Sequence, residues 1–199
     1  DAIAYCDEDG YAANVEMAHT EPPAEPRPAP SAAVDKVHTP GARSIEAVTA
    51  ALALPAGRLV KTLVVAGEDG PVALVLRGDH ELNAVKAQAL PGVADPLRMA
   101  EADEVQAATG CAPGFVGPVG LDIPVYVDHA AAHLADFACG ANEPDHHLTG
   151  VNWGRDLPEP DGVDLRNVVA GDPTPGGSGT LSIARGIEVG HIFQLGTKY

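Results

Sequence analysis

Four stretches hold most of the side chains that can do chemistry. Lys61 lies in LVKTLVVA, between Val60 and Thr62, with Leu63 and Val64 following. A lysine in such a run can be the solvent-facing alternate of a strand. In an otherwise apolar run it can equally be half-buried, and a half-buried ammonium needs an anionic partner. A terminal phosphate of a nucleic acid would serve. GDHELNAVK, from Gly78 to Lys86, follows a strand and opens a helix. Asp79 can cap that helix and Asn83 falls one turn in. The stretch is thus either a capped helix start or the polar mouth of a site.

GFVGPVGL, Gly114 to Leu121, carries glycines at 114, 117 and 120. Glycine lets backbone come close to a ligand, and free N–H groups there can hold a carbonyl oxygen as an oxyanion hole does. A tight turn between a helix and a strand accounts for the same glycines. No Gly-Lys-Ser/Thr follows, so this is no nucleotide-binding P-loop. GANEPDHHLTGVNWGRD, Gly140 to Asp156, is dense in polar groups. Asp145-His146-His147 spells a phosphoesterase motif, but the further Asp and His motifs of such enzymes are missing. His129, His133, His146 and His147 are conceivable metal ligands. With no HExxH and no Cys pair beside them, a neutral His forming one wall of a pocket fits better. There is no GxSxG elbow for a serine nucleophile, and neither Cys111 nor Cys139 has a nucleophile's local context.

These residues need elements to position them. Ile45, Val48, Ala51 and Leu52 recur at helical spacing, Ser44 can cap, and Pro55 stops the run, which predicts a helix over Thr39–Leu54. Leu59–Ala66 and Pro71–Arg77 are β-rich and joined by GEDG, a hairpin signal. Helices are expected over Glu81–Leu90 and Glu101–Thr109. Short strands are expected at Ile123–Val127 and Ala135–Cys139, with weaker strand signals at Val151–Asp156 and Leu165–Val169. Strands outnumber helices without alternating regularly with them. The fold class is therefore α+β: a mixed, partly barrel-like β-sheet with packed helices. Thr20 to Ala33, TEPPAEPRPAPSAA, reads as an extended linker.

Composition narrows the function. The net charge is −16, with only 12 Lys and Arg, which excludes autonomous tight binding along a nucleic acid. A module touching only the 3′ end of an RNA held elsewhere remains compatible. Hydrophobic residues make up 45% and aromatics 4%, so Ala, Val and Leu must fill the core. No apolar run approaches membrane-spanning length, and the acidic N-terminus is no signal peptide. Three cysteines without CxxC spacing argue against a disulfide framework or zinc ribbon and fit a reducing cytoplasm.

YAAN (from Tyr11), TPGARSIE (from Thr39), VKTLVV (from Val60), RGDHELNAVK (from Arg77), GFVGPVGL, GANE (from Gly140), NWGRD (from Asn152), DLRNVVAGDP (from Asp164) and RGIEVGHIFQLGTKY (from Arg185) occur in this order. The ordered set resembles bacterial-type prolyl-tRNA synthetases that carry an editing insertion, a YbaK/ProX-like module. The resemblance implies three regions. Residues 1–33 are a flank from the catalytic domain plus the Pro/Ala linker, 34–170 the editing module, and 171–199 the return to the catalytic domain. It further implies hydrolysis of mischarged alanyl-tRNA(Pro), with a ribose hydroxyl of the terminal adenosine helping to orient or activate the water. The implied catalytic residues are Lys61, Gly114, Gly117, Pro118, Asp128 and His147. Lys61 holds the terminal phosphate or ribose, the 114–118 loop the ester carbonyl, and Asp128 the α-amine or neighbouring groups. His147 limits the size of the amino acid. Thr39, Ile45 and Val48 match positions that shape the alanine pocket, Val48 standing where a leucine is usual. Asp79 and Asn83 join the substrate side at the mouth. Asp9 and Thr174 stand where the family often has Cys, and Cys or Ser. No metal is implied; ATP and Mg belong to a synthetase core absent from these residues. Implied partners are the 3′ end of tRNA(Pro) carrying alanine and the rest of the synthetase, a homodimer. Two other readings compete. One is a non-catalytic insertion that scaffolds the synthetase or positions the tRNA end; the other is a metal-dependent phosphoesterase using Asp145, His146 and His147.

Overall fold

The structure, a computed structural model, describes residues 1–186. The remainder of the Gly186–Tyr199 stretch, part of the expected return flank, lies outside the described residues. The chain divides into two compact units: Glu21–Asn167, and Asp1–Thr20 with the described part of Val168–Tyr199.

The smaller unit is a three-stranded antiparallel sheet. Strand β1 (Ala2–Tyr5) lies between β2 (Ala12–Asn14) and the last strand, β9 (Ser182–Arg185). Ala4, Ala18, Val168 and Leu181 form its small core. Its loops meet where Thr174 Oγ1 donates to Asp9 Oδ2 at 2.5 Å, so the two departures from the family pattern touch each other. That hydroxyl, with the Tyr11 N–H, holds the Asp9 carboxyl below its ordinary value.

The larger unit contains β3 (Asp35–His38), α1 (Ile45–Leu52), a 3-10 turn (Ala56–Arg58), β4 (Val60–Val65), β5 (Val72–Arg77), α2 (Ala84–Gln88), α3 (Ala102–Thr109), β6 (Val125–Val127), α4 (His129–Ala132), β7 (Phe137–Gly140) and β8 (His146–Val151). One sheet runs β3-β8-β7, all antiparallel. The other runs β4-β5-β6, with β4 antiparallel and β6 parallel to β5. A parallel bridge between Leu59 and Ala138 stitches the two, the partial closure expected of a mixed, partly barrel-like sheet. β5 is buried along nearly its whole length because both faces are covered. Val60, Val75, Val127, Phe137, Val151 and Trp153 pack on one side. Leu74, Leu76, Val65 and Leu165 pack on the other.

Several elements depart from expectation, each for a local reason. Helix α1 starts at Ile45 and not at Thr39, because Ser44 Oγ accepts from the Ala47 N–H at 3.1 Å while Gly41, at φ +70°, turns the chain before it. Asp79 does not cap α2. Asn83 does, accepting from the Lys86 N–H at 3.0 Å, and Asp79 instead pairs with Arg77 at 2.6 Å. The strand expected at Val151–Asp156 lies earlier, at His146–Val151, and the Leu165 segment makes only a bridge from Arg166 to Leu82. The Pro/Ala-rich stretch has no regular structure, but it is tied down. Arg27 Nε donates to the Ala132 carbonyl at 2.9 Å, and Ser31 Oγ to Asp136 at 2.6 Å. No described helix is long and apolar enough to cross a membrane.

Candidate editing site

Strand β4 is the edge of its sheet, and the chain folds several pieces around that edge. Between them lies a cavity of about 200 Å³. Lys61 and Thr62 come from β4, Ile45 and Val48 from α1, Gly114 and Val116 from the glycine loop, Gly140 from β7 and His147 from β8.

Among the described residues Lys61 Nζ makes one hydrogen bond, a long 3.4 Å approach to the Gly78 carbonyl. Among the described residues no carboxylate comes within ion-pair distance of it. Burial lowers the ammonium below a lysine's ordinary value, and the more distant charges of Glu81 and Asp79 offset this in part. A half-buried cation lining a cavity without a bonded anion is poised to accept one. Next to it, Thr62 Oγ1 is buried with no hydrogen-bond partner among the described residues.

His147 is 4% exposed. Its Nδ1 lies 2.6 Å from Thr39 Oγ1, and Phe115 meets its ring edge-on at 5.6 Å. Burial holds its pKa below 6.5, so the ring is neutral at pH 7 and serves as wall and hydrogen-bonding group. Thr39, itself 1% exposed, stands behind His147 and does not line the cavity.

The glycine loop is positioned by a residue the sequence reading did not single out. Asn142, at φ +54°, accepts from the Gly117 N–H at 2.8 Å and donates to the Gly117 and Val119 carbonyls at 3.0 Å each. Its own N–H donates to the Phe115 carbonyl at 2.9 Å. Asparagine tolerates this left-handed backbone better than other non-glycine residues. Its presence in GANE, directly after a strand, was the available signal. Gly117 and Gly140 pack backbone to backbone, so a Cβ on either would collide with the other segment's carbonyl oxygens. The Gly117 amide is therefore committed to Asn142. The Gly114 and Val116 N–H groups have no acceptor among the described residues, and both residues line the cavity.

Five of the expected residues thus meet at one cavity: Ile45, Val48, Lys61, Gly114 and His147. The others are placed elsewhere. Pro118 lines a separate hollow. Asn83 caps α2 and Asp79 holds Arg77. Asp128 is 0% exposed. Its Oδ1 accepts from the Leu165 N–H at 2.9 Å and its Oδ2 caps α4 through the Ala130 N–H at 3.0 Å, with Arg166 Nε at 3.7 Å. Burial raises its pKa against these stabilising contacts. Its carboxylate is held inside the fold and away from the cavity lining. The DHH triplet likewise splits. Asp145 accepts from the Gly41 N–H at 2.8 Å, His146 stacks on His38 at 5.1 Å, and only His147 reaches the cavity. Among the described residues no group of His, Cys, Asp or Glu is arranged to hold a metal.

The family model for aminoacyl-tRNA editing domains matches residues 39–157, the span that builds this cavity. The chain belongs to that family. The editing domain is 55% identical over 206 residues to the proline–tRNA ligase of Ralstonia pickettii (strain 12J), and 52% identical over 212 residues to that of Methylibium petroleiphilum (strain ATCC BAA-1232 / LMG 22953 / PM1). Each match covers all of this chain and 36% of the relative, so the chain spans about a third of the length of the ligases it matches. A crystal structure of a candidate trans-editing enzyme for prolyl tRNA synthetase is 28% identical, with a TM-score of 0.58, covering 68% of this chain and 87% of that one. The α+β architecture of the editing domain is shared with that neighbour. The sequence and family matches make this an aminoacyl-tRNA editing domain of the prolyl-tRNA synthetase type.

Proposed function

We propose that the domain hydrolyses the ester of alanyl-tRNA(Pro) and spares prolyl-tRNA(Pro). The observation that carries this reading is Lys61, a half-buried cation without a carboxylate partner. It lines a cavity of about 200 Å³ together with Gly114 and Val116, whose N–H groups have no acceptor among the described residues. The ammonium takes the phosphate or ribose end of the terminal adenosine. The Gly114 and Val116 N–H groups receive the ester carbonyl oxygen as negative charge develops on it. Water, oriented by a ribose hydroxyl of that adenosine, adds to the carbonyl carbon. The ester C–O bond then breaks and the ribose oxygen leaves with a proton, giving free alanine and uncharged tRNA. The ester is already activated, so placement and backbone electrostatics supply the acceleration. The reaction so written uses no metal or cofactor of the domain's own.

His147, Ile45 and Val48 wall the cavity. A synthetic site sized for proline cannot strongly reject a smaller amino acid, since each missing methylene is worth only about 1–3 kcal/mol. A second, smaller pocket separates the two by exclusion. Rotation of the tRNA 3′ end from the remaining two-thirds of the ligase would deliver the substrate.

The test is deacylation of alanyl-tRNA(Pro), with prolyl-tRNA(Pro) as control, by this chain and by the full-length ligase that carries it. Lys61→Ala should slow alanine release about 10- to 100-fold, the worth of one hydrogen bond to a charged group, and chelator should leave the rate unchanged. A wild-type full-length enzyme that releases neither amino acid would favour a scaffold that positions the tRNA end. A Lys61→Ala enzyme of undiminished rate would remove Lys61 from the chemistry.

A further inference from the structure

The editing reading uses one cation, Lys61, but the cavity has a second. Ten Lys and Arg residues lie between positions 21 and 167. Among the described residues, seven of these ten sit on a carboxylate. An eighth, Arg58, donates to the carbonyl oxygens of Ala135 and Asp136. The remaining two are Lys61, with only the long 3.4 Å approach to the Gly78 carbonyl, and Arg43, and both line the same cavity. In a chain of net charge −16, this places two of the larger unit's three cations without a carboxylate partner, among the described residues, at one opening.

Arg43 is also held in place. Its stem crosses Gly114 so closely that a Cβ there would lie 2.9 Å from the Arg43 Cβ. Its guanidinium rests over the Phe115 ring, 5.8 Å from the centroid, and Phe115 in turn packs on His147. The side chain is exposed, so its five N–H donors stay hydrated and available. The next residue, Ser44, caps α1, whose N-terminal dipole end adds to the positive field there. A guanidinium presents a planar fork that matches two oxygens of one phosphate, which an ammonium cannot do.

We propose that Arg43 and Lys61 form a two-cation clamp on the RNA 3′ end, in which Arg43 grips the phosphodiester preceding the esterified nucleotide. This rests on the editing reading and adds to it the group that fixes the RNA while the cavity receives the amino acid. Arg43 is a substrate-binding residue for the backbone and contributes nothing to the ester chemistry.

The clamp predicts a split that a merely structural arginine would not give. Arg43→Gln should raise KM for alanyl-tRNA(Pro) about tenfold, as loss of one charge-assisted bidentate contact does, with kcat within about twofold. The slope of log affinity against log salt for a short RNA bearing the tRNA 3′ sequence, measured by anisotropy, should become shallower by about 0.7, the value for one single-strand phosphate contact. Alanyl-adenosine, an ester with no phosphate, should be cleaved equally by wild type and variant. Arg43→Lys should fall between, keeping charge and losing the fork. Arg98→Gln, which removes the same charge from a surface pair with Glu104, should leave the salt slope unaltered. Unchanged KM and slope in Arg43→Gln, or an equal loss on alanyl-adenosine, would overturn the clamp. If wild type binds the RNA but cleaves no ester, the editing reading fails, while the anisotropy slopes still decide the role of Arg43.

Discussion

Asn142→Gly should detach the glycine loop from the strand it follows while leaving the backbone free to keep its turn. Three side-chain hydrogen bonds are lost, to the Gly117 N–H and to the Gly117 and Val119 carbonyls, at 2.8, 3.0 and 3.0 Å. Each is partly buried, so each contributes about 0.5–1 kcal/mol net. Glycine adds about 0.5–1 kcal/mol through its greater freedom in the unfolded chain. The total, about 2–4 kcal/mol, corresponds to a melting temperature lower by about 5–15 °C in a chain of this size. Asn142→Ala should cost about 1–2 kcal/mol more than a loss of bonds alone, because alanine must adopt the φ of +54°. The kinetic effect is the sharper test. Loss of one oxyanion donor lowers kcat about 100- to 1000-fold, and a loop that has slipped without unfolding should give about 10- to 100-fold. The assay is single-turnover release of alanine from alanyl-tRNA(Pro) at saturating enzyme, well below the melting temperature. An Asn142→Gly domain that melts early but turns over at the wild-type rate would refute the assignment of the ester carbonyl to the Gly114–Val116 amides.

Asp128 and His147 give two further tests. Asp128→Ala leaves the Leu165 and Ala130 amides without their buried acceptor and removes the carboxylate that lies 3.7 Å from Arg166 Nε, and should destabilise by about 3–5 kcal/mol. Asp128→Asn keeps the Oδ1 acceptor and should lose less, with kcat per folded molecule unchanged in melts and rates measured side by side. A stable Asp128→Asn domain with reduced kcat would instead place this carboxylate on the substrate. For His147, burial holds the folded-state pKa below 6.5, so the unfolded chain binds the proton more readily. Stability should therefore fall as pH drops below about 6.5, towards the folded-state value, and be fully present above it. Urea midpoints from pH 7.5 to 5.5 should decline less steeply in His147→Asn, and equal slopes would mean that another group carries the acid sensitivity.

Much of this site was legible in the sequence, and what was not has a common cause. A charge inside an apolar run announces itself, and Lys61 is where such a residue would be looked for. Glycines at 114, 117 and 120 read as letting backbone approach a ligand; Gly117 instead packs on the Gly140 backbone, Gly114 on the Arg43 side chain, and a Cβ at Gly120 would meet nothing within 4 Å. The sequence did not disclose partners far along the chain. Helix α1 begins late because Asp145, more than a hundred residues on, anchors the turn through the Thr39 and Gly41 N–H groups. Asp79 and Asn83 are equally good caps on paper, and the choice between them was made by Arg77 taking Asp79. DKVH and HHLTGV have weak strand patterns of their own and become β3 and β8 by pairing with each other and with β7. Asn142 looked like an ordinary turn residue until its side chain was seen to grip a loop 25 residues upstream.

On the editing reading, the charge distribution also explains how so acidic a chain can meet a polyanion. Surface repulsion between carboxylates and phosphates is screened beyond about 8 Å at physiological salt. Most of the domain's cations are neutralised locally by its own carboxylates, so the body of an RNA finds nothing to hold it. Among the described residues Lys61 and Arg43 have no carboxylate partner and both line the cavity, so contact there occurs inside the screening length. Such a surface rewards docking of one chain end and disfavours lateral binding. Because the reactive groups proposed are backbone amides, the site depends most on the residues that shape that backbone: Gly117, Gly140 and Asn142. Chemistry carried by main-chain groups leaves little trace in side-chain composition, which is why no general base stands out anywhere in the sequence.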